Sequence, residues 1–140
     1  MRLKKFLLLP VALSIAALAI WTTSSSFATL KKPGDWYFLG EKSVGFGIDH
    51  DVIHFGNWKD DVRQIKLKVT EGPLKMFDMK IFFDNGTEQD VPLRARFAQG
   101  SESRVIDMNG GLRHLSRIEF TYETKGFMHG HAHVSVYGRY

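Results

Sequence analysis

No cysteine occurs anywhere in the 140 residues. Disulfides, thiol nucleophiles, thiolate metal sites and a lipid-modified N-terminal cysteine are therefore excluded, and the fold must hold by core packing and backbone pairing. Long hydrophobic runs are scarce as well. The one candidate, Phe6 to Trp21, is interrupted by Pro10 and Ser14, and its sixteen residues fall short of the roughly 20 that cross a bilayer. It follows Arg2, Lys4 and Lys5 and precedes Ser26-Phe27-Ala28, small residues at the two positions a signal peptidase reads. Residues 1–28 are expected to be a secretory signal cut after Ala28, with no transmembrane segment left after cleavage and an exported product, periplasmic or secreted. A surplus of charge is missing too. The formal +4 and pI near 9.4 belong to the whole chain; without the three leader cations, 16 Lys and Arg face 15 Asp and Glu, interspersed along the chain. No nucleic-acid face is expected from that pattern. Alanine is reduced to Ala95, Ala98 and Ala132 after the leader, which argues against an all-helical fold.

What is present favours strands. The 112 residues after the leader hold all 13 glycines and 15 Phe, Tyr and Trp residues, enough chain for one domain. Thr29 to Asp35, polar and carrying Pro33-Gly34, reads as a flexible N-terminal arm over residues 29–35, with a β-sandwich domain over 36–140. Gly45, Gly47 and Gly56 punctuate two short strands between Trp36 and Phe55. Ile65, Leu67 and Val69 alternate with Gln64, Lys66 and Lys68 in a strand buried on one side, ended by Glu71-Gly72-Pro73. Phe77, Met79, Ile81 and Phe83 are expected to point inward from the next strand, and Ser116, Ile118, Phe120 and Tyr122 from a later one. Ala132, Val134 and Val136 point inward from the last. Arg104 to Met108 reads as a further strand. About eight short strands with frequent turn signals give an all-β fold, an antiparallel β-sandwich or jelly-roll-like barrel.

The turn at Asp84-Asn85-Gly86 tests the pairing. A two-residue Asn-Gly loop would set Ile81 opposite Asp90 and mismatch the faces. A three-residue loop with Gly86 left-handed in a bulge sets Met79 opposite Val91 and Phe77 opposite Leu93, and is the expected form.

The run Gly100 to Ile118 (GSESRVIDMNGGLRHLSRI), the closing Ala132 to Arg139 (AHVSVYGR) and the earlier FLG and DHDVIHFG strings together resemble a bacterial family of small exported β-sandwich proteins catalogued as a domain of unknown function. The resemblance covers most of residues 36–139 and implies an envelope or extracellular β sandwich with no established activity.

Three constellations carry chemistry. His129, His131 and His133 stand at i, i+2 and i+4, so an extended strand turns all three imidazoles to one face. Such a row suits Zn²⁺, Cu²⁺ or Ni²⁺ if His50, His54, Asp49 or Asp51 completes the shell; solvent-facing polar residues on a terminal strand are the alternative. Arg104, Asp107 and Arg113 lie in the most turn-rich stretch. One Asp between two Arg residues is expected to form an internal ion pair that fixes a loop, and a clamp on an anionic or sugar ligand is the other reading. Trp58, in the polar turn GNWKDD, offers an aromatic face for a ligand, whereas Trp36 is expected at the edge of the core. Nucleophilic catalysis finds no support: there is no G-x-S-x-G elbow, and Asp60-Asp61 and Asp49/Asp51 read as turn and strand-end carboxylates. The expectation is a non-enzymatic exported binding module, without a cofactor, whose partner is an envelope component or glycan. The alternative is a metal-binding envelope protein using the His-x-His-x-His strand.

Overall fold

The period of two in Gln64–Thr70 sets the first layer, since a strand so patterned must hide its Ile65, Leu67, Val69 face against a second sheet. The computed structural model describes residues 34–56, 61–124 and 131–140; the leader, its cut site, residues 29–33 of the arm, Trp58, Asp60 and His129 lie outside them. Ten strands are formed among the described residues: β1 (Tyr37–Val44), β2 (Gly47–His54), β3 (Asp61–Val62), β4 (Gln64–Thr70), β5 (Leu74–Phe83), β6 (Glu88–Val91), β7 (Ala95–Phe97), β8 (Ile106–Asp107), β9 (Arg113–Thr124) and β10 (Ala132–Arg139). All their pairings are antiparallel. One sheet runs β1-β10-β4-β8, and the other runs β2-β9-β5-β6, with β7 also paired to β5 and β3 to β9. The inner faces meet in a core that joins Ile65, Leu67, Val69, Val134 and Val136 of the first sheet to Met79, Ile81, Ile118 and Phe120 of the second. The expected all-β sandwich is therefore the fold, with more and shorter strands than pattern alone counts.

The hairpin after β5 takes the three-residue form. Phe83 N–H donates to the Thr87 carbonyl at 2.9 Å, Gly86 N–H donates to the Phe83 carbonyl at 3.0 Å, Gly86 has φ +85°, and Met79 lies opposite Val91. Core matching outweighs the two-residue Asn-Gly preference here.

Two inward assignments are corrected by strand irregularities. The ladder between β5 and β9 slips between Met76 and Asp78, so Phe77 is the extra residue, half-buried on the outer side, and Met76 takes its place in the core. The expected Phe77–Leu93 pair consequently does not form; β7 instead pairs Met76 with Ala95 and Leu74 with Phe97. A second slip between Phe82 and Phe83 puts Leu115, not Ser116, inside. A bulge shifts phase by one residue, which a period-two reading does not register. The strand expected from Arg104 to Met108 shrinks to Ile106–Asp107.

At the far end of β10 the sequence needs a glycine for space. Gly138 points inward, where an added Cβ would stand 2.9 Å from Leu39 Cδ1 and 3.2 Å from Val62 Cγ1. Trp36 lies elsewhere than expected: its ring rests on the outer face of the first sheet, 4.7 Å from Lys66 Nζ and 4.5 Å from the Arg139 guanidinium carbon. Cation–π contact with two outward side chains replaces core-edge packing.

Candidate anion-binding groove

The chain between β6 and β8 lines a concave surface. Val91-Pro92-Leu93 turns tightly, with Leu93 N–H donating to the Val91 carbonyl at 2.8 Å, because Pro92 fixes φ and gives up its own donor. Leu93 and Phe97 enter the core and Ala95 packs against it. Alternation then sends Arg94 and Arg96 outward, and both are exposed. After a turn at Gly100 (φ +82°), the segment from Gly100 to Ser103 is stitched along β4: Gly100 N–H donates to the Val69 carbonyl at 2.7 Å, Val69 N–H to the Ser101 carbonyl at 3.0 Å and Ser103 N–H to the Leu67 carbonyl at 2.8 Å. Ser103 Oγ also accepts from Leu67 N–H at 2.8 Å. This brings Arg104, on the edge of the first sheet, beside Arg94 and Arg96, on the edge of the second. The three line one groove of about 430 Å³ in the seam between the sheets, floored by Leu93 and Phe97.

None of these guanidinium groups has a hydrogen-bond, ion-pair or ring partner among the described residues. Glu102, the carboxylate nearest in sequence, lines the same groove but is held by Lys66 Nζ at 2.9 Å. Arg96 also stands directly opposite Lys75 on β5, whose other cross-strand neighbour is Glu123 on β9, so this like-charge pair is flanked by a single carboxylate. Lys75 projects over the Phe77 ring at 4.8 Å. Two smaller troughs share residues with the groove, one lined by Lys75, Phe77, Arg94 and Arg96 and another by Pro73, Lys75, Arg96 and Glu123. Chemically the site offers planar, always-charged donor forks to carboxylate, phosphate or sulfate.

A sequence profile described as "Domain of unknown function (DUF2541)" matches residues 11–138. The chain belongs to the DUF2541 family. That membership agrees with the resemblance to a family catalogued as a domain of unknown function and spans every arginine of the groove. No curated protein matches the chain. Among solved structures, the coat protein of tobacco streak virus is similar over 79% of this chain and 91% of that one, at 15% identity and a TM-score of 0.31.

Within this DUF2541 domain the residues singled out by sequence separate. Arg104 joins the groove. Arg113 does not: its Nη1 donates to the Asn109 carbonyl at 2.8 Å, its Nη2 to Thr87 Oγ1 at 2.7 Å and Asn85 Oδ1 at 3.1 Å, and its guanidinium carbon lies 3.9 Å from the Phe83 ring centre. It clasps the β5–β6 turn to the turn before β9. The ion pair expected at Asp107 is absent among the described residues; Asp107 Oδ1 accepts instead from Gln64 Nε2 at 2.6 Å. Pairing of β8 with β4 sets Asp107 opposite Gln64, so the neighbour across the ladder, rather than an arginine nearby in sequence, becomes its partner.

The described histidines do not converge, and His129 lies outside the described residues. His133 extends from the outer face of the first sheet, with Nδ1 3.1 Å from Glu71 Oε2 and Nε2 4.0 Å from Glu41 Oε1. His50 and His54 extend from the outer face of the second; His50 Nδ1 is 3.2 Å from Thr121 Oγ1, and His54 lies across from Arg117. Asp51 turns inward, accepting from the Tyr122 hydroxyl at 2.7 Å and lying 3.6 Å from Lys42 Nζ. His131 is exposed, its ring 6.3 Å from that of Phe46. Among the described residues, no three His, Asp or Glu side chains form a group suited to a metal ion. The shell completed by His50, His54, Asp49 or Asp51 is thus corrected by layer assignment: those residues belong to the sheet opposite β10.

Arg94 and Arg96 were not singled out by sequence. The available signal was P-L-R-A-R-F, two arginines at strand spacing beside small or apolar inward residues and without an acidic neighbour.

Proposed function

We propose that this protein is an exported, non-enzymatic binding module of the cell envelope that holds anionic groups of its partner in the seam between the two sheets. One observation carries the reading: Arg94, Arg96 and Arg104, drawn from the edges of different sheets, share a groove, and none is neutralised by a described residue. Exposed arginines ordinarily find a carboxylate at modest gain; a cluster without one keeps positive potential focused in a concavity. The charged n-region, apolar stretch and Ser-Phe-Ala ending of residues 1–28 support export.

Calorimetric titration of the purified protein with inorganic phosphate tests the site. Saturable binding that weakens at least about tenfold in the Arg94→Ala/Arg96→Ala/Arg104→Ala variant, with an unchanged circular dichroism spectrum, is expected. Equal binding by the folded triple variant would contradict it.

A further inference from the structure

Resting on that reading of the groove, we infer that its ligand is an extended acidic polysaccharide, whose successive carboxylate or phosphate groups engage Arg104, Arg94, Arg96 and Lys75 in turn.

Three features favour a chain over a single small anion. First, the cations are strung out rather than gathered. Arg94 and Arg96 project from alternate positions of one extended segment, about 7 Å apart along it, with Arg104 across the seam and Lys75 opposite Arg96 on the next strand. A lone phosphate is served by one or two guanidinium forks at a single point. Second, neighbouring concavities share these cations: Arg96 lines the seam groove and both smaller troughs, and Arg94 lines the seam groove, one of those troughs and a further depression bounded by Asp78, Pro92 and Thr121. Third, among the described residues β7 pairs only with β5, so the side of its backbone that faces the seam has no strand neighbour among them and offers amide and carbonyl groups suited to sugar hydroxyls.

A polysaccharide is favoured over single-stranded nucleic acid because the trough gives bases no stacking platform. Phe97 is buried, and Lys75 covers one face of Phe77. Single-strand binders rely on open aromatic faces as well as positive charge.

The test uses the purified protein and defined chains: oligogalacturonates of two to ten residues, the fully methyl-esterified decamer, poly(glycerol phosphate) and a ten-residue oligothymidylate, with inorganic phosphate as the single-anion control. Affinity is expected to rise at least about tenfold from the digalacturonate to the decamer, as contacts on one chain add, and to vanish with the neutral ester. Arg94→Ala/Arg104→Ala is expected to weaken the decamer at least about tenfold with its melting temperature unchanged. Preference for the galacturonate chain supports the inference, whereas preference for the glycerol phosphate chain, which contains no sugar, would overturn the carbohydrate assignment. A decamer bound no better than the dimer, while inorganic phosphate still binds, would overturn the extended-chain inference and leave the anion site standing. Failure of phosphate and every anionic chain would overturn both. Tighter binding of the oligothymidylate than of either acidic chain would overturn the carbohydrate assignment.

Discussion

The side chain of Gln89 pins the backbone of Asp107: Nε2 donates to the Asp107 carbonyl at 2.9 Å. Its Oε1 accepts from Asn109 N–H at 2.7 Å, so one amide, only 8% exposed, ties β6 of the second sheet to β8 of the first. Both partners are backbone groups, and Leu in place of Gln matches volume while leaving a donor and an acceptor unpaired. Gln89→Leu is expected to cost about 1–3 kcal/mol, read as a lower denaturation midpoint. Undiminished stability would show that the tie is not a brace.

Tyr122 is fully buried, and its phenol is pushed well above the ordinary tyrosine range, first by burial and then by the hydrogen bond to Asp51. The folded chain therefore keeps this proton at pH values where the unfolded chain, with a phenol pKa of about 10, has lost it. Its contribution is fully present below about pH 10 and is lost progressively as pH rises above that value. Tyr122→Phe removes the proton, so its stability is expected to fall less steeply above pH 10, and to lie about 1–2 kcal/mol lower at neutral pH from the lost charge-assisted bond. Denaturation midpoints measured from pH 7 to 11.5 check both parts; parallel profiles for the two proteins would contradict the assignment.

Arginines of the two classes should respond oppositely. Arg113→Met removes three hydrogen bonds joining two turns while keeping apolar contact with Phe83, and is expected to lower the melting temperature by several degrees. Arg94→Ala removes no described bond and relieves crowding of like charge, so its melting temperature should hold or rise slightly at low salt. Thermal melts in low and high salt distinguish them, and an equal loss in both variants would remove the division between structural and ligand-facing arginines.

Layering, inward faces and the Gly86 hairpin were legible because each follows from a local rule: period two for Ile65-Leu67-Val69 and Ala132-Val134-Val136, face matching for Met79 and Val91. Phe77 and Leu115 were not, because a bulge is fixed by what the neighbouring strand demands. The candidate site was legible only through Arg104. Its companions Arg94 and Arg96 lie next to it only because residues 100–103 bond along the edge of β4, a long-range pairing with no local signature. The same limit explains Asp107, whose partner Gln64 is 43 residues away, and the histidines, whose rows separate once β2 and β10 are assigned to different sheets.

Amide hydrogen exchange of the purified protein, with and without saturating decagalacturonate, tests the central claim most directly. The account predicts slowed exchange confined to residues 93–98 and 100–105 and the adjoining part of β5, and absent in the triple arginine variant. Protection centred instead on Lys66, Arg139 and Trp36, or none under saturating ligand, would contradict it.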